Sequence, residues 1–318
     1  MEHITNGTGD DSMKLKANNN STKRIANTED IISEFLTECK LKNLSNDTIQ
    51  TYSVNIKYLM KYLAEKKIPL AEVTTNSIKD YNLYLIEQGN RNTTSINTLL
   101  RNIKVFLSWT YQNGYTDEVQ VKYLKVKQEP KHIYSDEDIK ILLKKPKLSD
   151  TTYTEFRTYC IINVLVSTGM RRSSLLNIKL EDIQWNKQLI KLSHTKNKQV
   201  HYVSMNSKLS SVLKDWLKYR VGDDDTYLFT TQTGKKLEPL TVSTSIATYN
   251  RSRGVSVTSV HSFRHYYATK LVESGVDIYT ISKLLGHSNI SITQNYLRSL
   301  NMEHFIKSNS VDIFKLIE

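Results

Sequence analysis

Between Thr28 and Gly114 apolar side chains return at helical spacing in four successive runs, each closed by a breaker. Short stripes of that kind are stable only when they bury one another, so this stretch is bound to pack as helix on helix. The first run is Ile31, Ile32, Phe35 and Leu36, with Thr28 as the expected N-cap and Glu29 and Asp30 in the opening turn. Ser45-Asn46-Asp47 opens a second run of Ile49, Tyr52, Ile56, Leu59 and Leu63, which Pro69 follows. A third starts near Thr75 with Ile78, Tyr81, Leu85 and Ile86 and stops at Gly89. The fourth is Ile96, Leu100, Ile103, Phe106 and Leu107, ending near Gly114. The pattern predicts a small helical domain over residues 28–115, preceded by a polar tail, 1–27, too poor in aliphatics to fold by itself.

Residues 116–133 keep no period and hold Lys122, Lys125, Lys127 and Lys131 with Pro130, which reads as a basic linker. A second domain is expected over 134–300. It opens with a capping box at Ser135-Asp136-Glu137-Asp138. A strongly apolar helix over 155–167 stops at Gly169, and a short one follows over Arg172–Ile178. The one clear β signal is a hairpin of Leu189-Ile190-Lys191-Leu192 and Val200-His201-Tyr202-Val203. Leu209, Val212, Leu213, Trp216 and Leu217 return to helical spacing, and residues 261–298 read as three short helices broken at Gly275 and Gly286. The fold class is therefore mainly α with a small β-hairpin in the second domain. Residues 301–318 end on an apolar stripe of Val311, Ile313, Phe314 and Ile317.

The net charge of +12 points to a polyanionic partner, nucleic acid or an acidic membrane surface. No apolar run is long enough for a bilayer and no basic amphipathic helix has an aromatic face, so no membrane partner is expected. Met1 to Ser21 lacks the apolar core of a signal peptide, so a cytoplasmic location is expected. Cys39 and Cys160 have no motif spacing and are expected to be reduced and partly buried.

Four short stretches carry the chemistry. Thr168-Gly169-Met170-Arg171 sets an arginine at the mouth of a helix, where backbone N–H groups already favour an anion. Arg172, next door, is an alternative. Thr195-Lys196-Asn197-Lys198 puts two lysines in the hairpin turn, and either can move a proton. His261-Ser262-Phe263-Arg264-His265 sets His261 and Arg264 one turn apart on one face. His261 and His265 also have the i, i+4 spacing of zinc ligands, but Ser262 stands where the metalloprotease motif needs glutamate, so no metal is expected. Leu285-Gly286-His287 sets a second histidine at a helix start, nine residues ahead of Tyr296.

This set, in this order, resembles the tyrosine recombinase (phage integrase) family over about residues 28–300. The resemblance implies a two-domain clamp on double-stranded DNA, with a helical core-binding domain and a catalytic domain. It implies Tyr296 as the nucleophile that forms a 3′-phosphotyrosine, and Arg171, Arg264 and His287 as phosphate ligands. His261 takes the nucleophile's proton or holds the phosphate. Placing Val203-Ser204-Met205 at the family's strand end makes Lys196, not Lys198, the acid for the leaving 5′ oxygen. One departure stands out: the family commonly has an acidic residue three positions after the first arginine, and here it is Ser174.

Further DNA contacts are expected from Arg101, Lys104, Lys122, Lys125, Lys127, Lys131, Arg172 and Lys198. No cofactor is implied. The resemblance implies a homotetramer on two DNA sites, an accessory directionality factor, and a C-terminal tail that docks on a neighbouring subunit, with folding back on its own domain as the alternative. A mobile-element integrase or excisionase, or a DNA inversion switch, is the expected role. The rivals are a Xer-type chromosome dimer resolvase, a type IB topoisomerase and a DNA-binding protein with dead chemistry.

Overall fold

The computed structural model describes residue 24 and residues 26–126, 133–193, 200–223, 226–287 and 289–297, with backbone only at 292 and 295–297. Two compact units divide the chain, Met1–Gln128 and Glu129–Glu318.

The first unit is built from α1 (Thr28–Leu41), α2 (Asn46–Glu65), α3 (Thr75–Glu87) and α4 (Thr93–Gln112). Each starts on a side-chain cap: Asn27, Ser45, Thr74 and Asn92 accept from amides of the first turn. The cap of α1 is thus Asn27 rather than the expected Thr28. The Asn27 carboxamide takes the Glu29 N–H at 3.3 Å, which leaves Thr28 as the first helical residue. Stripe residues Ile56, Leu59, Leu63, Tyr81, Leu100, Ile103 and Phe106 are all buried, and Phe35 sets its ring 5.3 Å from that of Phe106. Each such side chain contributes on the order of 1.5–3 kcal/mol.

The first part of the expected linker is fastened to this unit. Asn97, buried on α4, donates to the Leu124 carbonyl and accepts from the Leu124 N–H, both at 2.8 Å. Asn82 on α3 donates to the Lys122 carbonyl at 3.1 Å. A carboxamide satisfied at both ends by one residue's main chain does the work of a strand partner. Residues 117–126 therefore form a strap held by side chains, which explains their lack of period. Lys127 and Lys131 lie outside the described residues.

In the second unit α5 (Asp136–Leu142) precedes and packs on α6 (Tyr153–Thr168), the central helix, which also packs against three later helices. Those are α8 (Ser207–Leu217), α9 (Pro239–Arg251) and α10 (Val260–Glu273), which is why α6 is apolar nearly all round. Next in the chain after α6 come α7 (Arg172–Leu176) and an antiparallel sheet of order β1-β2-β3. Its strands are β1 (Ile183–Gln184), β2 (Leu189–Leu192) and β3 (His201–Ser204), with Ile190 opposite both Ile183 and Val203. The hairpin is the expected one, while β1 adds a third strand too short to leave a pattern. The turn, with Lys196 and Lys198, lies outside the described residues.

Helix α9 is also beyond the expectation. Val242, Ile246 and Tyr249 are its buried stripe, but Thr241, Ser243, Thr244, Ser245 and Thr248, poor helix formers, interrupt it. Last come α11 (Ile278–Leu284) and α12 (Ile290–Leu297), which pack on α10; Ala268, Val272, Ile281 and Leu285 close a small core between α10 and α11. Cys39 and Cys160 are buried free thiols. No helix among the described residues is long and apolar enough to cross a membrane. The C-terminal stripe from Val311 to Ile317 lies outside the described residues.

Candidate active site

Helix α6 has to stop before Arg171 can point anywhere useful, and Gly169 stops it. Its φ of +58° is in the left-handed region, and its N–H closes on the Leu165 carbonyl. A Cβ there would lie 2.8 Å from Cγ of Tyr267, so the position has no room for a side chain. Arg171 follows in extended conformation, half-buried, and its Nη1 donates to the Gly286 carbonyl at 3.1 Å. Arg172 goes another way, donating to Ser243 Oγ at 2.6 Å and to the Pro239 carbonyl at 3.4 Å, both on α9. Of the two adjacent arginines it is Arg171 that lines the cleft.

Arg264 comes from α10 and is 2% exposed. Its Nη1 donates to the Gly169 carbonyl at 3.0 Å and its Nη2 to the Leu285 carbonyl at 2.6 Å. Both guanidiniums are thus tied to main-chain oxygens of the two loops between which they sit. Ser174, at the position where an acidic residue was expected, is buried and lines the same cleft.

The cleft has a volume of about 140 Å³ and brings together Arg171, Arg264, His287, His201 and Lys283. His287 is buried, with Nδ1 2.7 Å from Thr293 Oγ1 on α12. Burial, followed by the charges of Arg264, Arg171 and His261, pushes its pKa down to about 3, so its imidazole is neutral at neutral pH. His261 is exposed on α10, its ring 5.1 Å from that of His265 in a T-shaped pair. Among the described residues no group of three or more His, Cys, Asp or Glu is placed to hold a metal ion. Tyr296 lies on α12, one turn beyond Thr293.

Two residues of the cleft, His201 and Lys283, and one that touches His287 from outside its lining, Thr293, were not singled out from the sequence. His201 looks like a strand residue in an alternating segment, yet its Nε2 lies 3.0 Å from the Leu284 carbonyl, so β3 is docked on the end of α11. Lys283 and Thr293 sit in ordinary helical sequence, and nothing short of the tertiary approach marks them. What the arrangement can do is hold an oxyanion: two guanidiniums and a neutral imidazole line one small recess.

On the first unit, two basic side chains of α4 lie beside a tyrosine of the strap. The Arg101 guanidinium lies 5.8 Å and the Lys104 ammonium 6.0 Å from the centre of the Tyr123 ring, while Lys122 and Lys125 are exposed.

Comparison with known proteins gives the same division of the chain. The phage integrase family model matches residues 133–303, and the model of the phage integrase N-terminal SAM-like domain matches residues 31–117. A tyrosine recombinase of Pseudothermotoga lettingae is 28% identical over 273 residues, covering 85% of this chain and 94% of that protein. The tyrosine recombinase XerA of Pyrococcus horikoshii is 30% identical over 294 residues, covering 91% and 95%. Among solved structures, the site-specific recombinase XerH in a post-cleavage complex with a palindromic difH substrate has a TM-score of 0.69. That likeness, at 18% identity over 88% of this chain and 84% of the other, is one of fold.

Proposed function

The chain belongs to the phage integrase family and is a site-specific tyrosine recombinase, and on that premise we propose how its residues divide the work. The substrate is double-stranded DNA, met by basic side chains of the first unit (Arg101, Lys104, Lys122, Lys125), by Lys127 and Lys131, and by Arg172 and Lys198. The Tyr296 phenol oxygen attacks the scissile phosphate. Its proton passes to His261, the bond to the 5′ oxygen breaks, and the 3′ end stays on the protein as a phosphotyrosine. Arg171, Arg264 and His287 bind the non-bridging oxygens as charge develops on them. Lys196 protonates the leaving 5′ oxygen. A 5′ hydroxyl, from the same or a partner strand, reverses the sequence. The ester conserves the bond energy, so the exchange is isoenergetic without nucleotide.

The observation that carries this reading is the convergence of Arg171, Arg264 and His287 on one recess, with α12, the helix of Tyr296, beginning three residues after His287. The finer reading is four protomers on two sites in the cytoplasm, with the tail 301–318 docked in trans and a directionality factor assisting. Integration or excision of a mobile element, or DNA inversion, is the role proposed. The extent of the match to XerA favours a second reading, a Xer-type resolvase. The test is covalent trapping on a random duplex library, with adducts resolved on denaturing gels and their DNA sequenced. Wild type should give an adduct on a defined sequence and Tyr296→Phe none, while binding to that sequence persists. An adduct that survives in Tyr296→Phe overturns the assignment.

A further inference from the structure

Helix α12 carries the proposed nucleophile and also a side chain that touches a proposed phosphate ligand. Thr293 is fully buried, and its hydroxyl lies 2.7 Å from Nδ1 of His287. Threonines inside helices commonly turn the hydroxyl back to the carbonyl four residues earlier. Thr158, Thr168 and Thr269 of this unit do so, at 2.7, 2.7 and 3.0 Å. The hydroxyl of Thr293 instead leaves its own helix and meets the histidine in the loop before it.

We infer that Thr293 is a positioning residue: its hydroxyl donates to His287 Nδ1, fixes the ring as the Nε2–H tautomer, and ties it to the helical turn that precedes Tyr296. The chemistry follows from counting protons. A neutral imidazole has a single N–H, and if Nδ1 accepts, that hydrogen is on Nε2. The depressed pKa of His287 supports the neutral form. The Nε2–H end is then the donor offered to an oxyanion beside Arg171 and Arg264. The tether also has a mechanical side. Thr293 and Tyr296 are one turn apart on the same helix, so anything that moves His287 toward a bound phosphate moves the turn next to the nucleophile. Placement of ligand and nucleophile becomes one event.

The kinetic part of this inference rests on the recombinase chemistry proposed above, while the tautomer part does not. Two variants of the full chain separate the possibilities: Thr293→Val keeps the branched shape and removes the hydroxyl, and Thr293→Ser keeps the hydroxyl. Nitrogen-15 chemical shifts of His287, assigned with His287→Gln, report the tautomer without DNA. Wild type and Thr293→Ser should show the Nε2–H pattern, and Thr293→Val a mixture.

Single-turnover adduct formation is then measured with saturating protein on a nicked duplex bearing the sequence selected by trapping. Thr293→Val should be slower by about tenfold or more, the factor that goes with one lost buried hydrogen bond, with duplex affinity unchanged. Thr293→Ser should recover most of the rate. An unchanged tautomer or an unchanged rate in Thr293→Val overturns the inference, as does a serine variant as slow as the valine one. If wild type itself forms no adduct, the proposed function falls, and the tautomer measurement alone decides whether Thr293 holds His287.

Discussion

Replacing Gly169 with alanine should cost more than its one methyl group suggests. Two terms add. At φ +58° an L-residue is in the left-handed region, at about 1–2 kcal/mol. The new Cβ would also sit 2.8 Å from Cγ and 3.1 Å from Cβ of Tyr267, so the α10 side chain has to give way. Overpacking of that kind costs about 1–3 kcal/mol, for a total of roughly 2–5 kcal/mol. Gly254→Ala is the control, because its φ is +76° but nothing lies within 4 Å of its added Cβ. It should show the backbone term alone. The assay is urea unfolding of the full chain, followed through the transition of the second unit. The adduct-forming rate should also fall further in Gly169→Ala, since one of the two carbonyls that hold Arg264 belongs to the substituted residue. If the two alanines lower stability equally, the Tyr267 contact contributes nothing and the reasoning fails.

His287 should make the second unit acid-sensitive. Its folded pKa is about 3 against 6.5 when exposed, so between those values the unfolded chain binds a proton that the folded chain does not. Stability should therefore fall as pH drops from about 6.5 toward 3, and His287→Gln should flatten that part of the curve; an equal slope in both proteins refutes the origin. Asn97→Ala strips the Leu124 N–H and carbonyl of their partner, a loss of about 1–3 kcal/mol in the first unit. Protease should then cut faster within 117–126, and an unchanged cutting rate would show that the strap is held otherwise. Adduct formation should survive EDTA and the absence of nucleotide, and its loss on chelation would restore the metal reading of His261 and His265. DNA affinity should fall steeply with salt; a flat response would mean that the charge of +12 is not a DNA surface.

Much of the fold is legible in the sequence where burial is one-sided. The runs through α2 and α4 announce themselves because each helix buries one stripe, and Gly169 and Gly286 mark real chain reversals at φ +58° and +62°. Legibility fails where order comes from elsewhere. Helix α9 hides because its serines and threonines disfavour helix, and packing against α6 overrides them. Strand β1, two residues long, exists through its pairing with β2. The strap over 117–126 has no period because carboxamides of α3 and α4 hold it. In the site, Arg171, Arg264 and His287 could be picked out by their motifs, whereas Thr293 and His201 could not. Each is one polar residue on an ordinary element until the fold brings Nδ1 of His287 or the end of α11 against it.

The acceptors for the two arginines are peptide oxygens of Gly169, Leu285 and Gly286. Arg171 reaches 115 residues along the chain for its acceptor, and Arg264 reaches back 95 for one of its own. They act as staples between the loop after α6 and the loop after α11, with the genetic identity of the staple on one side only. An alanine scan through residues 284 and 285 would leave those oxygens where they are and miss their part entirely. Adding or removing one residue in the same loop would shift both Leu285 and Gly286 oxygens together and unfasten both guanidiniums. The part those oxygens play should thus depend on the length of the loop and not on which side chains it carries, and backbone amide-to-ester replacement is the probe suited to it.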